Sequence, residues 1–122
     1  MLGDCTITAM LPTTRPEAAK QFYSDVLGLE LASEDQFAIT YRTGAGSLRL
    51  QKVRACTPHP FSVLGWTVPD VRAAARSLAA KGVCFERFDG MEQDEPGVWT
   101  PPGGTTGVCW FKDPEGHLLS LS

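Results

Sequence analysis

Histidine is scarce in this 122-residue chain, which has only His59 and His117. That scarcity limits any metal or acid–base chemistry built on imidazole. The cysteines, Cys5, Cys56, Cys84 and Cys109, form no C-x-x-C pair, which argues against a structural zinc or a thioredoxin-type motif. In a reducing cytosol they are expected to be ordinary thiols. Positive charge is not in excess: Lys and Arg number 11 against 14 Asp and Glu, a net charge of −3. Nucleic-acid binders carry basic patches, so duplex nucleic acid is not expected as a partner. No stretch reaches the ~18 apolar residues that cross a bilayer, so no membrane partner is expected. Met1 to Cys5 offers no basic segment followed by an apolar core, so no signal peptide is read and a cytoplasmic protein is expected. There is no G-x-S-x-G, and neither histidine has an evident nucleophile partner, so a serine triad is not indicated.

Hydrophobic residues make up 43% of the chain, enough for one compact domain over residues 1–122 without disulfide support. Cys5 to Leu11 reads as a strand ending at Pro12. Thr14 and Glu17 have capping-box spacing, and Pro16 suits a first helical turn. Ala18, Phe22, Val26 and Leu27 then recur at helical spacing, and Gly28 stands where a helix end favours glycine. Three strand-like runs follow, at 29–33, 37–42 and 47–53. Gly44-Ala45-Gly46 is the turn between the last two, not a phosphate cradle, because no helix follows it. The second half repeats the order. A strand at 62–68 leads to a helix starting at Pro69-Asp70, with Val71, Ala74, Ala75 and Leu78 on one stripe and Gly82 at its end. Strands at 83–88, 107–111 and 118–121 follow. The chain is therefore strand, helix and three strands, written twice, with modules over about 4–54 and 61–122. Each module is too small to bury its sheet alone, so the two are expected to combine.

Two motifs carry a resemblance. Phe22-Tyr23-Ser24-Asp25-Val26-Leu27-Gly28-Leu29 resembles the helix-to-strand signature of the vicinal oxygen chelate superfamily. Phe111-Lys112-Asp113-Pro114-Glu115-Gly116-His117-Leu118-Leu119-Ser120-Leu121 resembles its last hairpin. The superfamily holds glyoxalase I, bleomycin- and fosfomycin-resistance proteins and extradiol dioxygenases. The second motif is also plain turn chemistry, with proline pre-setting its φ and Gly116 free to take a positive one. The resemblance implies an α+β fold in which two βαβββ modules form an incomplete β-barrel from two four-stranded sheets, with helices outside. Strand alternation then puts Thr6, Thr8, Met10, Arg49, Gln51, Val63, Gly65, Thr67, Leu118 and Ser120 on the cavity side. Ile7, Ala9, Leu11, Leu48, Leu50, Leu64, Trp66, Val68, Leu119 and Leu121 fall on the helix side.

Metal-dependent members of the superfamily take ligands, usually His, Glu or Gln, from the first, fourth, fifth and eighth strands. The matching positions here are Thr8, Gln51, Val63 (Ser62 if the register slips by one) and Ser120. Only Gln51 is a conventional ligand, and one amide oxygen does not hold a transition metal in water. His117 belongs to the hairpin and His59 to a proline-rich link, so both are expected to be turn or surface residues. A site of Glu92, Asp94 and Glu95 is conceivable, but such a loop is usually just solvated. No metal site or cofactor is therefore expected.

The cavity wall suits a small polar or planar molecule held by a few hydrogen bonds. Arg49 either points in, where its fork could grip a carboxylate or phosphate, or reaches solvent or an acidic partner. The long insert 89–104 has the length of a lid, and its Trp99 could cover a flat ligand with Trp110 beside it. The alternative is that both tryptophans pack the open end of the barrel or a dimer contact. The expected ligand contacts are Thr8, Arg49, Gln51, Thr67, Trp99, Trp110 and Ser120. Bleomycin-resistance relatives lack the metal and bind a drug in a groove generated by the dimer. The resemblance thus implies a homodimer that binds a small molecule without a metal. The alternative is a lyase or isomerase of the glyoxalase I type, or a dioxygenase-related enzyme.

Overall fold

The computed structural model describes all 122 residues. Two compact units divide the chain, Met1–Thr57 and Pro58–Ser122. The fold is α+β, with two open sheets. No helix is long and apolar enough to cross a membrane.

The first unit contains β1 (Thr8–Thr13), α1 (Pro16–Gln21), β2 (Glu30–Glu34), β3 (Ala38–Thr43) and β4 (Gly46–Lys52), with sheet order β1-β4-β3-β2. The strand expected to stop at Pro12 runs through it to Thr13. β1 is an edge strand, where a missing N–H need not break the ladder. Ile7, expected to pack toward the helix, precedes β1 and is exposed. The capping box is not formed: α1 starts at Pro16 with Arg15 at its N-cap and no side-chain cap.

From Phe22 to Val26 the helix widens into a π turn, closed by the Leu27 N–H on the Phe22 carbonyl at 2.9 Å. At this α-to-π junction the Tyr41 hydroxyl donates to the Lys20 carbonyl (3.3 Å) and lies 2.9 Å from the Ser24 hydroxyl. Such a switch in pitch leaves a carbonyl in need of a donor, and the buried tyrosine supplies one. Burial holds the Tyr41 phenol above its ordinary pKa. Tyr23, Tyr41, Ile39, Leu48 and Leu50 form the centre of this unit's core. At the sheet's edge, Glu34 bridges Lys20 (2.7 Å) and Lys52 (2.9 Å), and these hydrogen bonds lower its pKa.

The second unit contains β5 (Ser62–Trp66), α2 (Val71–Ala80), β6 (Cys109–Lys112) and β7 (Leu118–Leu121), in sheet order β5-β7-β6. Asp70 caps α2 by accepting from the Ala73 N–H at 3.0 Å. This sheet has three strands, not the expected four. The segment expected as a strand at 83–88 contributes a single bridge, Phe85 to Phe111. The Glu86 N–H still reaches the Trp110 carbonyl (2.8 Å), but the Glu86 carbonyl accepts from the Gln93 amide (2.9 Å). That amide also takes the Phe88 N–H (2.9 Å), so a side chain occupies the groups a ladder would use. Phe111, Leu119, Leu121 and Cys109 are buried here, and burial pushes the Cys109 thiol up to about 11.

The β6–β7 hairpin is built on Asp113. One of its carboxylate oxygens accepts from the N–H groups of Glu115 (3.0 Å) and His117 (2.9 Å), and Gly116 adopts φ +98. His117, expected as a turn or surface residue, is in the turn but buried. Hydrogen bonds to a charged acceptor contribute about 1.5–3 kcal/mol each, and losing the acceptor leaves buried donors unpaired. Asp113→Ala is therefore expected to destabilise the protein by about 2–4 kcal/mol in urea unfolding, with Asp113→Asn losing less.

Candidate functional site

Alternation gives each sheet one face lined by buried apolar residues and one that is more open. In the first sheet Leu48 and Leu50 are buried, while Arg49 and Gln51 lie on the opposite face. Cross-strand register places Met10 and Thr40 beside Arg49, Pro12 and Ala38 beside Gln51, and Thr8 beside Ser47. The Ser47 hydroxyl donates to the Thr8 hydroxyl at 3.2 Å. Thr8, Arg49 and Gln51 therefore share one face, as expected, together with Thr40, which the sequence reading missed. Thr40 would have followed from alternation along β3.

Arg49 is half-buried in the middle of β4, and its Nε is shut off from solvent without a hydrogen-bond partner. Its charge is felt at Asp35, whose carboxyl is held below its ordinary pKa by the Phe37 and Ala38 N–H groups, with Lys52 and Arg49 adding to the effect.

In the second sheet Trp110, Ser120 and Gly65 form one row across β6, β7 and β5. Trp110 is flanked by Phe88, edge-on at 5.4 Å, and by Trp99, tilted at 6.3 Å. Phe88 is the aromatic residue that the sequence reading did not single out. Its signal was position: it ends a run that alternation would have phased with Glu86. Ser120 and Ser62 hydroxyls lie 3.0 Å apart, and the β5–β7 register shifts between Ser62 and Leu64. That one-residue irregularity brings Ser62, rather than Val63, to the side of Ser120. A side chain at Gly65 would begin 2.6 Å from the Ser120 hydroxyl, so glycine is what keeps that row open. Thr67 lies just past the end of β5 and is exposed. A cleft of about 460 Å³ opens at the Leu118 end, with Pro58, His59, Pro60, Phe88 and the Lys112–Glu86 pair (3.6 Å) in its wall.

The insert 89–104 is pinned through its middle, from Gln93 to Trp99. Trp99 and Val108 exchange backbone hydrogen bonds of 2.9 and 2.8 Å, and Arg87 binds the carbonyls of Gln93, Asp94 and Glu95. Asp94 meets Arg72 at 2.6 Å and accepts from the Val98 N–H at 2.9 Å. Burial pushes its carboxyl up, but Val98 and Arg72 outweigh that and leave it lowered. Asp94 thus braces the insert rather than standing as a free solvated charge.

No group of three or more His, Cys, Asp or Glu side chains is arranged to hold a metal ion. At the positions the superfamily uses for ligands stand Thr8, Gln51, Ser62 or Val63, and Ser120, and the hydroxyls of Thr8, Ser62 and Ser120 are hydrogen-bonded to other side chains or to each other. Neutral hydroxyls and one amide do not fit a divalent transition metal.

A family model described as Glyoxalase/Bleomycin resistance protein/Dioxygenase superfamily matches residues 7–121. No curated protein matches the chain in sequence. Among solved structures, TnmS3, an antibiotic binding protein from Streptomyces sp. CB03234, superposes with a TM-score of 0.72 at 22% identity, covering 100% of this chain and 97% of that one. Lactoylglutathione lyase from Agrobacterium tumefaciens gives 0.69 at 18% identity, covering 97% and 92%. A superfamily member from Sphaerobacter thermophilus gives 0.71 at 20% identity, covering 99% and 98%. At these identities the likeness shows a shared fold.

Gly65→Ala is expected to force the Ser120 hydroxyl away from Ser62 and to destabilise the protein by about 1–2 kcal/mol, in the range of overpacking. Adding Ser120→Ala should recover part of that loss, read as a positive coupling in a double-mutant cycle of thermal midpoints.

Proposed function

Because the chain belongs to the Glyoxalase/Bleomycin resistance protein/Dioxygenase superfamily, we propose that it is a receptor that binds a small planar or polar molecule without a metal. The observation that carries this reading is the open row of the second sheet. Trp110, between Phe88 and Trp99, lies beside a hydroxyl pair and a bare glycine. Aromatic faces bind flat ligands by offset stacking, and a few hydroxyls fix their orientation. The donor set at the superfamily's ligand positions supports the metal-free part of the reading. TnmS3, named for antibiotic binding, shares the fold and lends the reading a precedent.

The lyase alternative needs a Lewis acid or an acid–base pair around the substrate, and no arrangement on this chain favours it over the receptor. The proposal keeps the expectations of a homodimer and a cytoplasmic protein, which rest on the resemblance and on the sequence.

Tryptophan fluorescence tests the receptor directly. Titration with a panel of neutral planar aromatics, benzamide and 2-naphthamide among them, is expected to give saturable quenching. Trp110→Ala should weaken the best of them at least tenfold, with Trp99 left beside the site to report binding. A panel that neither quenches saturably nor shifts the thermal midpoint would contradict the proposal.

A further inference from the structure

The cleft at the Leu118 end of the second sheet continues that sheet's open face. The bridge between Phe85 and Phe111 fixes the phase of the segment beside β6, with Phe111 buried in the core. Alternation then turns Glu86 and Phe88 to the same side as Trp110 and Lys112. The contacts agree: Phe88 meets Trp110 edge-on at 5.4 Å, and Glu86 meets Lys112 at 3.6 Å. Glu86, Phe88, Lys112 and Leu118 line one cleft of about 460 Å³, and the link from Pro58 to Pro60 completes its wall. That link is held in place. Pro58 packs so closely on the β6–β7 turn that a Cβ on Gly116 would lie 3.2 Å from its ring, and the His59 ring stacks flat on Phe61 at 4.9 Å. An ionic pair thus stands next to an aromatic pair along a single wall. The charges that shape this unit are spent on the fold: Asp94 on Arg72 and Val98, Arg87 on three carbonyls, Asp113 on its own turn. Glu86 and Lys112 are not. At 3.6 Å they are too far apart for a hydrogen bond, so carboxylate and ammonium both keep that capacity for what enters the cleft.

We propose that the cleft takes the zwitterionic head of an aromatic α-amino acid, its ammonium against Glu86, its carboxylate against Lys112 and its ring against Phe88 and Trp110. The inference deepens the receptor reading and rests on it for the aromatic half of the ligand. Charge selects the head group. The wall has no net charge but separates its two signs, and a zwitterion does the same. A simple acid would gain Lys112 and meet Glu86 as a like charge; a simple amine would gain Glu86 and meet Lys112. Each wall charge therefore rejects the ligand that the other would attract. Reach agrees with charge. Lys112 and Trp110 are two residues apart on β6, about 6.5 Å along a strand, which is of the order of the span from an amino-acid head to its ring.

Three ligands that share a phenyl ring and differ in charge test the head group: L-phenylalanine, 3-phenylpropionate and phenethylamine, with benzamide as the neutral control. Binding is read from tryptophan fluorescence and thermal midpoints. L-Phenylalanine is expected to bind wild type at least tenfold more tightly than either singly charged analogue. Lys112→Gln and Glu86→Gln should each cost L-phenylalanine at least tenfold. They should also move the analogues in opposite directions: Lys112→Gln should favour phenethylamine over 3-phenylpropionate, and Glu86→Gln should favour 3-phenylpropionate over phenethylamine. A pair that served only the fold would not give opposite reversals, and both variants should melt near the wild-type midpoint, as surface ion pairs contribute little. L-Phenylalanine binding no better than the analogues, or two variants that leave the order of the analogues unchanged, would overturn the inference. If benzamide binds while L-phenylalanine does not, the inference falls and the receptor stands. Failure of all four to bind would overturn both.

Discussion

Everything in this protein follows from how a strand divides its side chains between two faces. Leu48 and Leu50 turn one way along β4, and Arg49 and Gln51 turn the other. Leu119 and Leu121 turn one way along β7, and Ser120 the other. One face of each sheet is thereby committed to the core. The opposite face is more open, although Ala38 and Leu118 are buried on it, and it carries groups whose chemistry would be costly in an apolar interior. A one-residue slip in either sheet would exchange the two sets and bury an arginine or a hydroxyl where leucine now packs.

What the open faces carry then limits what the protein can do. The first offers a guanidinium, an amide and hydroxyls, and the second offers an indole flanked by two more aromatic rings. These are groups for holding a molecule by shape, stacking and hydrogen bonding. A fold shared with an antibiotic binding protein and with a lyase does not choose between those roles, because function resides in the site and not in the architecture.

Much of this was legible in the sequence, wherever local rules dominate. The α+β order of elements, the glycines ending both helices and the Asp113–Gly116 turn all follow from periodicity and turn chemistry. The common face of Thr8, Arg49 and Gln51 in the first sheet, and the opposition of Ser120 to Leu119 and Leu121 in the second, follow from period-two alternation. Failures came where tertiary contacts override a local rule. Pro12 reads as a strand end, yet at a sheet edge it need not be one. The run at 83–88 reads as a strand, yet the Gln93 side chain takes the hydrogen bonds that a ladder would need. Asp94 reads as a solvated charge, yet it meets Arg72 across 22 residues of sequence. The burial of the Arg49 Nε without a hydrogen-bond partner has no sequence signature, since it depends on residues brought near it by folding.

The central claim is that the protein holds its ligand without a metal ion. Protein purified without chelator, at known concentration, should contain far less than one equivalent of nickel, zinc, manganese or iron by elemental analysis, and exhaustive chelation should leave its ligand-binding isotherm unchanged. A tightly held equivalent of one of these metals, whose removal abolishes binding or reveals a lost turnover, would contradict the account.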